Sequence, residues 1–452
     1  MDAIHRFAEH VVATSFDDLP REAITATKTF VLDTLGVAVA GSGEPSSAQL
    51  GRTASAWGRG DEATVWGSGQ RLPAGTAALV NAYQAHCLEF DCVHDGAVVH
   101  AMATTLPATL AFAERAGRVS GCDVVVAVAL GVDVAASLGV ASRAAMRFFR
   151  PATAGAFGAV AAVGTLAGLD VPMLVSAFGM LYAQLSGTLQ PHLEASPALA
   201  MQMGFSARAA LVAVDLARDG FQGPRDVLEG RYGYFALFEG AHDVAPVLAT
   251  LGKTWRVSEL SHKPFPSGRL THGTVDGLQR LRARHAFTAD DVASVRVHVP
   301  PLVSRLVSRP DVADPVAGYA RLCLPFVAAT TILTGGVDVP DFRGDRLRAR
   351  DVHALAGRVA VVTDETADPN VMAPQRVEVV LRDGARLSVV VEHVLGHPAH
   401  PLLRDAHLAK FRRNLTYGAA PISEVAVTRL IGRVDALDTL ADVRPLIADT
   451  VP

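Results

Sequence analysis

Residues 376–415, RVEVVLRDGARLSVVVEHVLGHPAHPLLRDAHLAKFRRNL, decide how the chain is put together. The first half alternates β-branched and polar residues on both sides of Asp383-Gly384, the pattern of a hairpin closed by a tight turn. Beyond Gly396-His397-Pro398 the period changes to three and four residues, and LRDAHLAKFRRNL reads as an amphipathic helix. A β texture therefore gives way to a helical one with no Ser/Gly-rich linker between them.

Upstream, SVRVHV (294–299) and RVAVVTD (358–364) carry the same β-branched signature, so an α+β segment extends over about 265–394. From the start to about Leu260 the pattern is helical and rich in Ala, with Gly or Pro between segments. PISEVAVTRLIGRV (421–434) and LADVRPLIAD (440–449) continue the helices after residue 395. The expected fold class is mainly α: a large helical domain made from both chain ends, 1–264 and 395–452, with a smaller α+β domain inserted at 265–394. A cleft between the two is the favoured place for a ligand.

Composition narrows the function. At 452 residues, with 50% apolar and 19% charged residues, the chain has material for a large core. A net charge of −4 supplies no basic field for a nucleic-acid backbone. Cys87, Cys92, Cys122 and Cys323 show no paired spacing, so neither disulfides nor a zinc ribbon is expected and a cytoplasmic location fits. No secretory leader is read at the first residues. The apolar windows Val124–Val140 and Ala154–Leu169 are shorter than the roughly 20 residues a bilayer requires, and the first contains Asp133. Both read as buried helices, with Gly155, Gly158, Ala159 and Ala162 allowing close helix approach. No membrane or nucleic-acid partner is expected.

Chemistry concentrates in two stretches. His86-Cys87-Leu88-Glu89-Phe90-Asp91-Cys92-Val93-His94-Asp95, followed by His100, gathers carboxylates and imidazoles where charged residues are otherwise scarce. A carboxylate that orients a histidine makes an acid/base unit near neutrality. Asp91, His94 and His100 would also suit a divalent metal, but their spacing matches no ligand motif, so no metal and no cofactor are assigned. Ser261-His262-Lys263-Pro264-Phe265-Pro266-Ser267-Gly268-Arg269-Leu270-Thr271-His272 adds cations on a bent loop, a combination suited to carboxylates. Arg150, ahead of the 154–169 helix, is a third candidate for anion binding. Gly41-Ser42-Gly43 lacks the third glycine of a dinucleotide loop and reads as a helix end; no Walker loop, G-x-S-x-G elbow or H-E-x-x-H helix is present.

Together FVLDTLGVAVAGSGEPSS (30–47), AHCLEFDCVHDGAVVHA (85–101), FGAVAAVGTLAGL (157–169), GFQGPRDVLEG (220–230), KPFPSGRLTHGTVDG (263–277), ARLCLPFVAATTILTGG (320–336) and LAKFRRN (408–414) resemble the MmgE/PrpD family. The resemblance spans nearly the whole chain. It implies a helical domain with a lid-like α+β insert, a homodimer, and cofactor-free lyase or isomerase chemistry on small polycarboxylates, as in 2-methylcitrate dehydratase, cis-aconitate decarboxylase and iminodisuccinate epimerase. It matches Glu89, Asp91, His94 and His100 to the family's acidic/histidine run, and Lys263, Arg269 and His272 to its basic stretch. Departures accompany the match. Arg150 stands where family dehydratases and decarboxylases carry a histidine, Leu199 and Gln202 where they carry a lysine and a histidine, and Cys92-Val93 where aspartate and threonine are expected.

The expected mechanism has Asp91, or His100 oriented by it, take a proton from the carbon beside a substrate carboxylate. Lys263, Arg269 and Arg150 stabilise the developing enediolate, with Glu89 and Gln202 as further substrate contacts. If a hydroxyl then leaves, His94 or His272 assists as general acid, which is the dehydratase ending; epimerisation and decarboxylation are the alternatives. A catalytically inactive carboxylate-binding or scaffold homologue is the rival from outside enzymology.

Overall fold

The computed structural model describes residues 1–452, and helices dominate it. At the centre lies the Arg21–Ser42 helix, buried on every side from Phe30 to Ser42, as expected of a helix apolar all round and enclosed by others. The Ala74–His86, Ala101–Ala116, Gly121–Ala141, Arg150–Leu166 and Ala198–Arg218 helices pack around and beside it.

Small residues set how closely these helices approach. A Cβ added to Gly131 would stand 2.7 Å from the Gly158 carbonyl oxygen, and one on Gly158 would stand 2.3 Å from the Gly131 oxygen. The Gly121–Ala141 and Arg150–Leu166 backbones therefore touch where the Gly/Ala texture predicts close packing. The first of these helices is longer than its apolar window. It begins where the Ser120 hydroxyl accepts from the Asp123 N–H at 3.2 Å and the Asp123 carboxylate accepts back from Ser120, and it runs 21 residues. Length alone thus does not argue against a membrane span. Arg21–Ser42, Gly121–Ala141 and Ala198–Arg218 are all long and apolar enough for one, with 72%, 94% and 67% of their apolar windows buried inside the fold.

The predicted strands form. The four-stranded sheet has the order Val359–Thr363, Val292–Val299, Gln375–Leu381, Arg386–Val391. The first pair is parallel, and the other two are antiparallel. The last two strands are joined through Asp383-Gly384, where Gly384 takes φ +92° as a tight turn requires. Val377 and Val379 point inward and are fully buried, while the alternate positions remain half-exposed. The His272–His285 helix lies across that inner face.

The end of the chain returns to its beginning. The Arg404–Leu415 helix packs on Arg21–Ser42, with Phe411 against Gly36 and the Lys410 ammonium on the Asp33 carboxylate at 2.7 Å. The 440–449 stretch forms only the short Arg444–Ala448 helix, because Pro445 confines it to a start at Arg444. One continuous apolar core joins Ile4, Leu35 and Leu130 to Val295 and Val377 of the sheet.

Candidate active site

Two antiparallel helices present the acid/base groups. The Ala74–His86 helix ends at His86, and the Ala101–Ala116 helix begins after its N-cap, His100. The loop between them is strained. Glu89 has φ +51° and Val98 has φ +55°, a left-handed conformation that costs a residue with a side chain about 1–3 kcal/mol and is least comfortable for a β-branched one. Surrounding pairing holds the loop in place. His94 and Val99 exchange backbone hydrogen bonds, and Val93 exchanges another pair with Ser261, at 3.0 and 2.7 Å. That last pair joins the acidic stretch to the basic one, so the two clusters meet.

Asp91 sits between the helix ends with no exposed surface. Its carboxylate accepts from His86 Nδ1 at 3.1 Å and from His100 Nδ1 at 3.0 Å, and the two rings lie 5.0 Å apart, edge to face. Lys263 Nζ, itself fully buried, donates to Glu89 Oε2 at 3.0 Å and stands 3.9 Å from Asp91 Oδ1. Glu89 Oε1 lies 3.5 Å from His86 Nε2. Because an ionised carboxylate only accepts, both imidazoles carry hydrogen on Nδ1, and their Nε2 atoms are the ones free to exchange protons.

The two histidines are shifted in opposite directions. Burial pulls His86 down, but the Asp91 and Glu89 carboxylates outweigh it and its pKa is raised. Burial lowers His100, helped by Lys263 and by His86, and Asp91 does not restore it. The helix ends act in the same sense, since a C-terminus favours the imidazolium at His86 and an N-terminus disfavours it at His100. Glu89 is raised by burial but brought down to about 2, chiefly by Lys263, and the histidines hold Asp91 well below its usual value despite its burial. One carboxylate thus holds two imidazoles whose proton affinities are pushed apart, His86 upward and His100 downward, the kind of split that separates an acid from a base.

His86 and Glu89 form part of the wall of a cleft of about 640 Å³. Facing them are Arg321 and the backbone around Gly318, with Tyr83, Glu44 and Leu199 completing the polar and apolar lining. Arg321 is held by the Cys87 carbonyl at 3.2 Å and by Glu44 at 3.3 Å, which leaves its Nε without a partner. His86 Nε2 is likewise unpartnered.

The other expected site residues lie elsewhere. Arg150 is spent on Glu239, Ser142 and the Ala97 carbonyl, all within 3.1 Å, because its helix starts at residue 150 and buries it in the first turn. Arg269 clasps Asp95 with two nitrogens. His94 binds Glu259 at 2.8 Å and accepts from the Ala97 N–H, so it fixes the loop. His272 Nε2 donates to the Ser267 carbonyl at 3.1 Å, and burial with Arg269 and Lys263 nearby holds its pKa well below the ordinary value, which makes it a poor general acid. Gln202 clamps the Thr188 backbone from both sides, beside Leu199 of the cleft wall. Asp91, His100, Glu89 and Lys263 are brought together. His86, quoted at the head of the acidic stretch but given no role, and Arg321 complete the group; the spacing of His86, Glu89 and Asp91 after a helical run was the available signal.

His86, Asp91 and His100 are also close enough to hold a metal ion. Their facing atoms are instead spent on one another in hydrogen bonds of 3.0–3.1 Å, which favours proton transfer over metal ligation here.

Residues 5–246 match the MmgE/PrpD N-terminal domain and residues 265–434 the MmgE/PrpD C-terminal domain. The chain is 26% identical to human cis-aconitate decarboxylase over 96% of its own length and 92% of that protein's. It is also 26% identical to the cis-aconitate decarboxylase of Aspergillus terreus, over 95% and 92% of the two chains, and 25% to that of the mouse, over 96% and 91%. With both halves matched in order and nearly the full length shared, the chain belongs to the MmgE/PrpD family.

Proposed function

We propose that this protein is a cofactor-independent lyase of small di- and tricarboxylic acids, working by proton transfer beside a substrate carboxylate. The observation that carries the reading is one buried carboxylate, Asp91, shared by two imidazoles whose pKa values are pushed in opposite directions, with His86 and Glu89 lining a cleft that also carries Arg321. A carbon next to a carboxylate is a weak acid, so its ionisation needs a base near neutrality and fixed cations for the enediolate. His100 is the base, through its Nε2 lone pair. Lys263 supports the negative charge, and Arg321 takes a second carboxylate. Protonated His86 gives its proton to the departing β-hydroxyl, so that the products are an alkene and water. The balance is that of a dehydratase. The α+β segment 265–394, which supplies Arg321, acts as the lid over a helical body made from 1–264 and 395–452.

A second reading is decarboxylation, favoured by the name of the relatives. The same imidazolium would then protonate the carbanion left by carbon dioxide. Leu199 puts an apolar surface in the cleft, which favours a substrate with fewer carboxylates on that wall, and an epimerase would use the same acid and base on opposite faces.

Proton NMR in heavy water with 2-methylcitrate, cis-aconitate and iminodisuccinate separates these endings. An olefinic product supports the dehydratase, loss of carbon dioxide the decarboxylase, and solvent deuterium without either the epimerase. His86→Gln should lower turnover about 10²–10⁴-fold with the fold intact. Tight carboxylate binding with neither product nor deuterium uptake contradicts the enzyme and leaves a binding protein.

A further inference from the structure

A second group of buried ionisable side chains stands away from the cleft with its ligand-type atoms unspent. Asp33 lies in the middle of the Arg21–Ser42 helix, His262 precedes Lys263, and His407 lies on the Arg404–Leu415 helix. They are 2%, 6% and 1% exposed. Asp33 Oδ1 accepts from Lys410, but Asp33 Oδ2, His262 Nε2 and His407 Nε2 all lack a hydrogen-bond partner. One ligand atom from each of the three residues lies within 4.8 Å of the other two. His407 Nε2 is 3.7 Å from Asp33 Oδ1, too far for a hydrogen bond, and the imidazole rings are 4.7 Å apart. Three unpartnered buried polar atoms on three side chains this close together need an explanation, since buried polar groups are nearly always satisfied.

We propose that Asp33, His262 and His407 bind a first-row transition-metal dication of the zinc class through Asp33 Oδ2 and the two Nε2 atoms. Two imidazoles and a carboxylate are a zinc-type donor set, and a fourth position remains for water. Ligands about 2.0–2.2 Å from a tetrahedral ion sit closer together than these atoms, so small side-chain rotations close the site. Lys410 already hydrogen-bonds the other oxygen of Asp33 at 2.7 Å, the outer contact that orients a ligating carboxylate. The Lys410 ammonium is itself held 4.3 Å above the Phe90 ring and donates to the Phe90 carbonyl at 3.2 Å. A surface cavity of about 590 Å³, lined by Phe30, Leu260, His262 and Gly396, gives the ion a way in. The contrast with the cleft is chemical: there the carboxylate and both Nδ1 atoms are spent on one another, and here Asp33 Oδ2 and the two Nε2 atoms have no partner. The ion would pin three distant segments together, with Lys410 linking it to Phe90, the residue before Asp91.

The test uses the full chain, stripped with a chelator, dialysed and titrated with Co(II). One equivalent binds and develops visible ligand-field absorption, and Zn(II) raises Tm. His262→Ala and His407→Ala each weaken Co(II) binding by about 100-fold or more, because a ligand counts for at least as much as an outer-shell partner. His407→Gln, close in size, serves where His407→Ala does not fold. His100→Ala keeps the full stoichiometry, and that comparison locates the ion away from the cleft. No absorption and no Tm shift at millimolar metal overturn the proposal. So does Co(II) binding that survives both histidine substitutions or disappears with His100→Ala.

Discussion

Two buried charge clusters in this chain do different things. Around Arg150 every strong donor is answered: the guanidinium meets Glu239, Ser142 and the Ala97 carbonyl, while Tyr234 donates to Glu239 at 2.7 Å. Around Asp91 the count does not close, since His86 Nε2 is buried without a hydrogen-bond partner in a residue that lines the cleft with Glu89. Burial and charge are common to both. What separates a support from a site is the polar atom left over and the space it faces.

Paired substitutions test that contrast. Lys263→Met should lower turnover about 10³-fold, because a preorganised charge is lost where the enediolate forms. Arg150→Met should instead cost about 3–5 kcal/mol of stability, leaving Glu239 buried and unanswered, with turnover per folded molecule kept. Chemical denaturation and single-substrate kinetics on both variants measure the exchange; equal loss of turnover in both would erase the distinction. The smallest effect belongs to the loop. Val98→Gly relieves the left-handed strain at φ +55° and should change stability by no more than about 1 kcal/mol while loosening the approach of His100, read as a rise in KM. Unchanged KM would mean that the strain is unrelated to the site.

Local patterns made most of the fold legible. The hairpin at Asp383-Gly384, the β-branched runs and the small-residue helices all formed where residue type and period put them. The meeting of the 86–100 and 261–272 stretches was also legible, as two rare concentrations of charge in an apolar chain. Partner choice across long separations was not. Nothing near Arg269 or Arg150 in sequence announces that Asp95 and Glu239 consume them. Arg321 reaches the cleft from the 320–336 stretch, which carries family likeness but no cluster of charge, and His86 differs from His94 only in standing at a helix end beside Asp91.

Protonation gives these histidines opposite effects on stability. A raised value at His86 stabilises the native state below about pH 6.5, and that contribution is lost as pH rises through the folded value. A lowered value at His100 acts in reverse: its contribution is present above about pH 6.5 and lost as pH falls through the folded value. The most direct measurement is a ¹⁵N-detected imidazole titration of the intact protein, assigned with His86→Gln and His100→Gln. His86 should remain doubly protonated above the ordinary histidine range while His100 stays neutral below it. Two rings titrating together near their ordinary value, or in the reverse order, would contradict an acid and a base poised on one carboxylate.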